Sequence, residues 1–217
     1  MLINSESKKL RPGTARRRRE ILDAALACFL KNGVEGTSIE QIRKLSGASH
    51  GSIYHLFESK NEIACTLFLE GVEEYQRLMV ECVQEAETAH DKIKAMIRMH
   101  LRYSFDNPEL AIYLSRMGLS DLIDSIDTKY RILRGKFVET IYGEFKPFIE
   151  RGELIDLDST YYFCQITGPC SQLARAWLTR QSRTENILEY VEQFAVCAYN
   201  SLRSEVTAPT TRHIPVE

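Results

Sequence analysis

The sequence predicts an all-α protein, in which a three-helix head with a helix-turn-helix precedes a C-terminal helical bundle. Apolar residues recur at spacings of three and four along most of the 217 residues, which is the period of an amphipathic helix. Only 6 Pro and 11 Gly are present, and several long stretches contain neither. No segment shows the strict alternation of apolar and polar residues that is typical of a strand.

The charge distribution separates a basic head from an acidic body. Residues 1–60 contain 11 Lys and Arg against 6 Asp and Glu, whereas the remaining residues contain 17 against 24, although the whole chain has a net charge of only −2. A basic segment on an acidic protein indicates that the head alone meets a polyanion such as nucleic acid. Chance clustering is the alternative interpretation.

The cysteines and the apolar runs favour a cytoplasmic protein that does not bind a membrane. No two of the six cysteines have the C-x-x-C spacing of a metal or redox site, so that we expect no metal and no cofactor. We expect the cysteines to be small buried side chains of a protein in a reducing compartment. Residues 1–20 lack the apolar core of a signal peptide. No apolar run approaches the ~18 residues that span a bilayer.

The first predicted helix begins with four arginines. Residues 1–13 are polar and are predicted to be a disordered basic arm. The arginines at 16–19 open the helix, and Asn32-Gly33 is a usual C-terminal signal. Cations at the start of a helix interact unfavourably with the helix macrodipole. A role in binding DNA phosphates would explain why arginines stand there. A solvated run of charge is the alternative. The core stripe of this helix is Leu22, Ala25, Leu26, Phe29 and Leu30.

Residues 37–60, TSIEQIRKLSGASHGSIYHLFESK, carry most of the information. Thr37-Ser38-Ile39-Glu40 is a capping-box pattern, in which the hydroxyl of Thr37 caps a helix and Glu40 reaches back. Ile39, Ile42 and Leu45 then recur at a spacing of three, which predicts one buried face.

A turn and two further helix starts follow. Ser46-Gly47-Ala48 breaks the helix, because Gly tolerates the left-handed backbone of a sharp turn. Ser49 caps the next helix, whose inward residues would be Ile53 with Leu56 or Phe57. Ser59-Lys60-Asn61-Glu62 is a second capping box and starts a long helix. Two helices joined by such a turn form the DNA-reading helix-turn-helix.

The rest of the chain predicts further helices. A long helix begins at Lys60 and ends near residue 86. Further helices are predicted at 89–105, at 108–117 after Asn107-Pro108, and at about 122–150, where Pro147 lies near the end and Gly152 follows. The next helix begins after a cap at Asp156 or Asp158 and is expected to kink at Gly168-Pro169. The last helix begins after a capping box of Ser182 and Glu185, and a flexible tail follows at 206–217.

The segments GVEGTSIEQI, SGAS and IYHLFESKNEI, within residues 16–67, resemble the TetR/AcrR family of transcriptional regulators. The resemblance implies a homodimer, with a DNA-binding domain at 14–60 that binds a double-stranded DNA operator. It implies a helical domain for ligand binding and dimerisation at 61–205, whose last two helices form a four-helix dimer interface, and it implies a small-molecule effector.

The matching positions suggest which side chains contact DNA. Thr37 and Lys60 would bind phosphates, and Tyr54 would do so through its hydroxyl. Gly51 would let the backbone approach the groove. Arg43 departs from the pattern, because the family usually has a small Ala there; either the helices separate slightly or Arg43 extends outward. The full expected set is Arg16, Arg17, Thr37, Ser38, Arg43, Ser49, His50, Gly51, Ser52, Tyr54, His55 and Lys60.

Two further sets are expected in the body, although each residue could be ordinary core. A ligand pocket between helices is expected at Met96, Met99, His100, Tyr103, Tyr113, Met117, Phe137, Ile141, Phe163 and Ile166. The last two helices are expected to form the dimer interface with Cys170, Leu173, Ala174, Trp177, Val191, Phe194 and Ala198.

The functional prediction is a regulator without catalytic residues, most simply a repressor that a small apolar molecule releases from its operator. A regulator that a protein partner controls, with no small ligand, is the alternative. A serine hydrolase is a remote alternative, since residues 47–51 match G-x-S-x-G, the motif of a nucleophile elbow.

Overall fold

A computed structural model describes residues 11–179 and 186–204 of the chain. These residues form α-helices and two short 3₁₀ helices and no strand, so that the predicted all-α fold is confirmed. The helices are α1 (Pro12–Asn32), α2 (Ile39–Ser46), α3 (His50–Leu56), α4 (Lys60–Gln84), α5 (Ala89–Asp106), α6 (Pro108–Met117), α7 (Asp127–Gly143), α8 (Lys146–Glu150), α9 (Ser159–Leu178) and α10 (Val191–Leu202), with 3₁₀ helices at Asp121–Ile126 and Ile187–Tyr190.

The start of α2 corrects the predicted cap by one residue. Ser38, not Thr37, is the N-cap, and its hydroxyl accepts the backbone N–H of Gln41 at 3.2 Å. The side chain of Gln41 accepts the N–H of Ser38 in return, which completes a capping box without Glu40. The reason is that Thr37 is buried and bonded elsewhere.

The turn between α2 and α3 forms as the sequence predicts. Gly47 ends α2 in the left-handed conformation, with φ of 64°, which a residue with a Cβ rarely adopts. Ser49 caps α3, accepting the N–H of Ser52 at 3.1 Å. Ser59 caps the start of α4 through the N–H of Glu62, whose carboxylate accepts from Glu58 instead of completing a box with Ser59.

One compact unit contains the helix-turn-helix, most of α4, and residues 103–135. Its core joins α1, α2, α3 and α4 to α6. Leu45 does not belong to this core, contrary to the prediction from spacing, because 59% of it is exposed. The largest side chains of the core are Ile21, Leu22, Phe29, Ile42, Ile53, Phe57, Ile63, Phe68, Tyr113 and Met117.

A second compact unit contains residues 79–102 and residues from 136 onward. In it α9 and α10 run antiparallel, since the N–H of Ile155, before α9, donates to the carbonyl of Leu202 at the end of α10. A partly buried ion pair joins Lys92 of α5 to Glu144, with Nζ and Oε2 3.0 Å apart. Lys92 also donates to the carbonyl of Val83 in the last turn of α4.

The single helix predicted at 122–150 is wrong. The segment begins as a 3₁₀ helix, continues as α7, and breaks after Gly143 before the short α8. Pro147 explains the break, because it suits only the first turn of a helix, where its missing N–H is not required, and so a new helix begins beside it.

Some predictions fall outside the described residues. These are most of the arm at 1–13, the capping box of Ser182 and Glu185, and the tail at 206–217. The cap of α9 is Asp158, whose carboxylate accepts the N–H of Thr160 at 2.7 Å. Among the described helices, none has the length and apolar character that crossing a lipid bilayer requires.

Candidate functional site

The outward face of α3 is polar and accessible. Ile53 is completely buried and Phe57, the residue after the helix, is 3% exposed, which fixes the orientation of the helix against the core. Tyr54 is 51% exposed, and His50 and His55 are exposed as well. The face therefore presents hydrogen-bonding side chains to an outside partner.

Contacts among these side chains order the face. The hydroxyls of Ser49 and Ser52 are 2.9 Å apart, and the ring of His50 meets that of Tyr54 edge to face, with centroids 5.2 Å apart. A Cβ placed on Gly51 would lie in open space, so that the fold itself does not require glycine there. This observation favours close approach of an outside partner as the reason for the glycine.

Thr37 does not belong to this face. Its side chain is 3% exposed, and its hydroxyl lies 2.7 Å from the carbonyl oxygen of Gly33 and 3.2 Å from that of Cys28. The hydroxyl thus holds the turn after α1, and the phosphate contact predicted for it is not available in this structure. Its neighbour Ser38 is exposed at the start of α2.

Arg43 extends outward, as one of its two predicted alternatives requires. Its guanidinium makes two parallel hydrogen bonds to the carboxylate of Glu40, at 2.7 and 2.8 Å. The hydrogen bonds from Arg43 lower the pKa of Glu40. The ammonium of Lys60 donates to the carbonyl of Glu35 at 3.0 Å, at the start of α4.

The arginines of α1 all have carboxylate partners. Arg16 and Arg17 share Glu20, with nitrogen–oxygen distances of 3.6 and 2.7 Å. Exposed ion pairs of this kind contribute roughly 0–1 kcal/mol, so that a phosphate can replace the carboxylate at small cost. Arg18 is different, because it pairs with Glu70 of α4 and lies over the ring of Phe57.

The residues predicted to line a ligand pocket divide between the two units. Tyr103, Tyr113 and Met117 are buried in the first unit. Tyr113 stacks on Phe29 and donates to the carbonyl of Ala64, and Tyr103 donates to the carbonyl of Gly71. All three residues thus lie in the unit that contains the helix-turn-helix, whereas the remaining pocket candidates lie in the second unit.

The other pocket candidates lie in the second unit. Four of them are buried, and His100, Phe137 and Phe163 are half-buried. Phe137 contacts Phe163 with ring centroids 5.6 Å apart. Nε2 of His100 lies 3.1 Å from the hydroxyl of Ser171, and burial lowers the pKa of His100 to about 4. The buried four are Met96, Met99, Ile141 and Ile166.

Most residues predicted for a dimer interface are buried within the single chain. Side chains that the chain itself covers cannot also face a partner. The five buried residues are Cys170, Ala174, Trp177, Val191 and Ala198, whereas Leu173 and Phe194 are half-buried. The exposed residues of these two helices include Tyr161, Cys164, Val196 and Cys197, and Tyr190, directly before α10, is exposed as well.

Residues 21–64, from the middle of α1 to the start of α4, match the family model described as bacterial regulatory proteins of the tetR family. The match covers the whole helix-turn-helix. The chain belongs to the TetR family.

Curated relatives of this TetR-family chain are transcriptional regulators. The fatty acid metabolism regulator protein of Bacillus subtilis is 26% identical over 168 residues, which cover 76% of this chain and 84% of the relative. The repressor AcnR of Corynebacterium diphtheriae is 38% identical over 69 residues, so that the match spans 32% of this chain and 34% of that repressor.

Solved structures of TetR-family proteins share the fold. A regulator from Marinobacter aquaeolei VT8 matches with a TM-score of 0.74 and 15% identity, over 90% of this chain and 100% of that one. The regulator FadR from Bacillus subtilis, in complex with stearoyl-CoA, matches with a TM-score of 0.71 and 21% identity, over 83% of this chain and 97% of that one.

The G-x-S-x-G match lies at the turn of this TetR-family head. Gly47 ends α2, and Ser49 begins α3, so that a helix precedes the motif. A nucleophile elbow needs a strand before its serine, because the strained turn between strand and helix exposes the hydroxyl. The motif therefore has the geometry of a helix-turn-helix turn and not that of an elbow.

Two residues that matter were not predicted from the sequence. Arg18 was grouped with the other arginines, although it joins α1 to Phe57 and Glu70 in the head of this TetR-family chain. Ser171 was not singled out, because a lone serine on an apolar helix gives no signal until its partner His100 is known.

Proposed function

We propose that this TetR-family regulator is a repressor that binds operator DNA as a homodimer and is released by a small, mainly apolar effector. The observation that carries the proposal is the outward face of α3. Its polar side chains stand on a helix that Ile53 and Phe57 fix against the core, within the segment that the family model matches. A rigid, polar helix of this kind suits the major groove.

We assign the side chains of this face and its surroundings to two groups, those that would contact bases and those that would contact phosphates. Ser49, His50 and Ser52 would contact base edges, while Gly51 lets the helix approach. Phosphate contacts would fix the orientation of the helix on the duplex without reading sequence, and they would make affinity depend on salt. The phosphate contacts are proposed for Arg16, Arg17, Ser38, Arg43, Tyr54, His55 and Lys60.

A homodimer would place two α3 helices about 34–36 Å apart, at successive major grooves. The outer faces of α9 and α10 suit the contact between protomers, because Tyr161 is 60% exposed and Tyr190 and Val196 are more than 40% exposed. Several exposed aromatic and aliphatic side chains on two neighbouring helices are what a contact between protomers would cover. This surface replaces the buried stripe that the sequence suggested.

The effector is proposed to carry a fatty acyl chain. The second unit supplies an apolar interior with Met96, Phe137 and Phe163, which suits an alkyl chain. The name of the Bacillus subtilis relative and the stearoyl-CoA complex of FadR support this class. Release from DNA requires that the effector bind the conformation with low DNA affinity more tightly than the other.

The test begins with selection of duplexes from a random DNA library by the full-length protein. We expect one pseudo-palindromic sequence to be enriched, and fluorescence anisotropy should then show tight, salt-dependent binding. Addition of decanoyl-CoA should weaken this binding, whereas CoA alone, as the matched control, should not. Failure to enrich any sequence would contradict the DNA-binding role. Binding that no acyl compound alters would favour control by a protein partner.

A further inference from the structure

Five half-buried residues of the second unit define what we name the α9 groove: His100, Phe137, Phe163, Thr167 and Ser171. Phe163, Thr167 and Ser171 recur at a spacing of four on α9, beside the fully buried stripe of that helix. Phe137 of α7 contacts Phe163, and His100 of α5 contacts Ser171. Three helices of the second unit therefore meet along one line of accessible side chains.

The two ends of the α9 groove differ in chemistry. One end is aromatic, with the rings of Phe137 and Phe163 in contact. The other end is polar, with Nε2 of His100 and the hydroxyl of Ser171 at 3.1 Å. Eight residues of helix separate Phe163 from Ser171, a rise of about 12 Å. A ligand with an apolar chain and a polar group at its end fits such a groove in one orientation.

The polar end can donate a hydrogen bond, and neither of its two side chains supplies a positive charge near pH 7. Burial lowers the pKa of His100 to about 4, so that its imidazole is neutral near pH 7. The buried cation within the described part of this unit is Lys92, whose ammonium already contacts Glu144 and the carbonyl of Val83. A carboxylate placed between these two side chains would exchange part of its hydration for hydrogen bonds alone, which costs more than it does for an uncharged carbonyl.

We propose that the α9 groove binds the acyl chain of the effector, with an uncharged carbonyl, as in a thioester or an ester, at the hydroxyl of Ser171. This inference rests on the proposed function and specifies the chemistry of its effector. When Nε2 of His100 carries the proton, it donates to Ser171, and the hydroxyl of Ser171 is then oriented to donate to the carbonyl. His100 is a positioning residue, and Ser171 is the residue that contacts the ligand.

Methyl decanoate and sodium decanoate test the inference as a matched pair, since both carry the same chain. The sequence contains a single tryptophan, Trp177 of α9, and its fluorescence reports binding in the full-length protein. We expect the ester to bind at least tenfold more tightly than the carboxylate at pH 7.5. Equal or tighter binding of the carboxylate would overturn the inference.

Variants separate a ligand contact from a structural effect. Ser171→Ala should weaken ester binding about 2- to 12-fold, which is the range for one lost hydrogen bond, and should leave carboxylate binding unchanged. Ser171→Thr, which keeps a hydroxyl, should restore ester binding, and Ser201→Ala on α10 is the matched control. Phe163→Ala should weaken the binding of both compounds. Equal losses for both compounds with Ser171→Ala would overturn the role of Ser171.

DNA release distinguishes failure of this inference from failure of the proposed function. If the carboxylate binds more tightly and releases the protein from its selected duplex, the proposed function stands and the uncharged carbonyl is wrong. If neither decanoyl compound binds, and decanoyl-CoA does not release DNA, the acyl effector fails and this inference fails with it.

Discussion

Tyr113 of α6 stacks on Phe29 of α1, with ring centroids 6.0 Å apart and the planes nearly parallel. The hydroxyl of Tyr113 also donates to the carbonyl of Ala64, in the first turns of α4, at 2.8 Å. One side chain thus joins α6 to the helices on both sides of the helix-turn-helix. The core of the DNA-binding head is therefore completed by a helix outside the segment at 14–60 that was expected to form it.

Removal of this side chain should destabilise the whole first unit. Tyr113→Ala should lower the free energy of unfolding by about 3–5 kcal/mol, the range for a buried aromatic side chain, and should weaken DNA binding. Tyr113→Phe should lower it by only about 0.5–1.5 kcal/mol, because it loses the hydrogen bond and keeps the ring. Urea denaturation measures both. Leu119→Ala, at a residue that is 83% exposed, is the control, and a similar loss there would contradict the account.

Lys92 and Lys94 offer a matched comparison of a partly buried and a more exposed ion pair on one helix. Lys92→Met should lower the free energy of unfolding by about 1–3 kcal/mol, because the partly buried carboxylate of Glu144 loses its charged donor. Lys94→Met should change it by at most about 1 kcal/mol, since the side chain of its partner Glu192 is 59% exposed. Equal effects in thermal and urea denaturation would show that the pair of Lys92 and Glu144 is not buried in solution.

Stability should fall in acid because of His100. Its folded pKa of about 4 lies below the ordinary value of 6.5, so that between these values the unfolded chain binds a proton that the folded chain does not. The free energy of unfolding should therefore decrease as the pH falls from 6.5 towards 4, by about 2 kcal/mol at pH 5. His100→Gln should remove this part of the pH dependence, whereas His55→Gln on α3 should keep it. Identical profiles for the wild type and His100→Gln would contradict the assignment.

Lys60 should contribute to DNA affinity without contributing to sequence choice. Lys60→Ala should weaken binding to every duplex and reduce the slope of log affinity against log salt by about 1. Anisotropy titrations at several salt concentrations give that slope. Lys129→Ala, on the exposed face of α7, should leave it unchanged. An unchanged slope with Lys60→Ala would remove Lys60 from the phosphate contacts.

Local signals in the sequence predicted the turn and the orientation of α3, because Gly47, Ser49 and Ile53 act through their own backbone and the nearest core. The predicted N-cap of α2 was wrong by one residue, because Thr37 and Ser38 are both of the residue types that cap helices well. The choice between them depends on the carbonyls of Cys28 and Gly33, which the fold brings near Thr37. The sequence of α2 alone does not indicate that Thr37 contacts these two carbonyls.

Longer-range errors have similar causes. The helix predicted at 122–150 includes a 3₁₀ segment. A 3₁₀ helix has three residues per turn, so that its pattern of apolar residues is close to that of an α-helix. The apolar stripe of α9 predicts burial, but its period is the same whether α10 of the same chain or a second protomer covers it. The predicted pocket set includes Tyr113 and Met117, which pack in the core of the first unit, because apolar residues that line a cavity and those that fill a core have the same composition.

His50 gives the most direct test that the exposed face of α3 reads DNA. Affinities of the wild type and His50→Ala should be measured for the selected duplex and for a scrambled duplex at one salt concentration. We expect the variant to lose about 1–3 kcal/mol on the selected duplex and to bind the scrambled duplex as the wild type does. Unchanged binding to both duplexes, or an equal loss on both, would contradict the account.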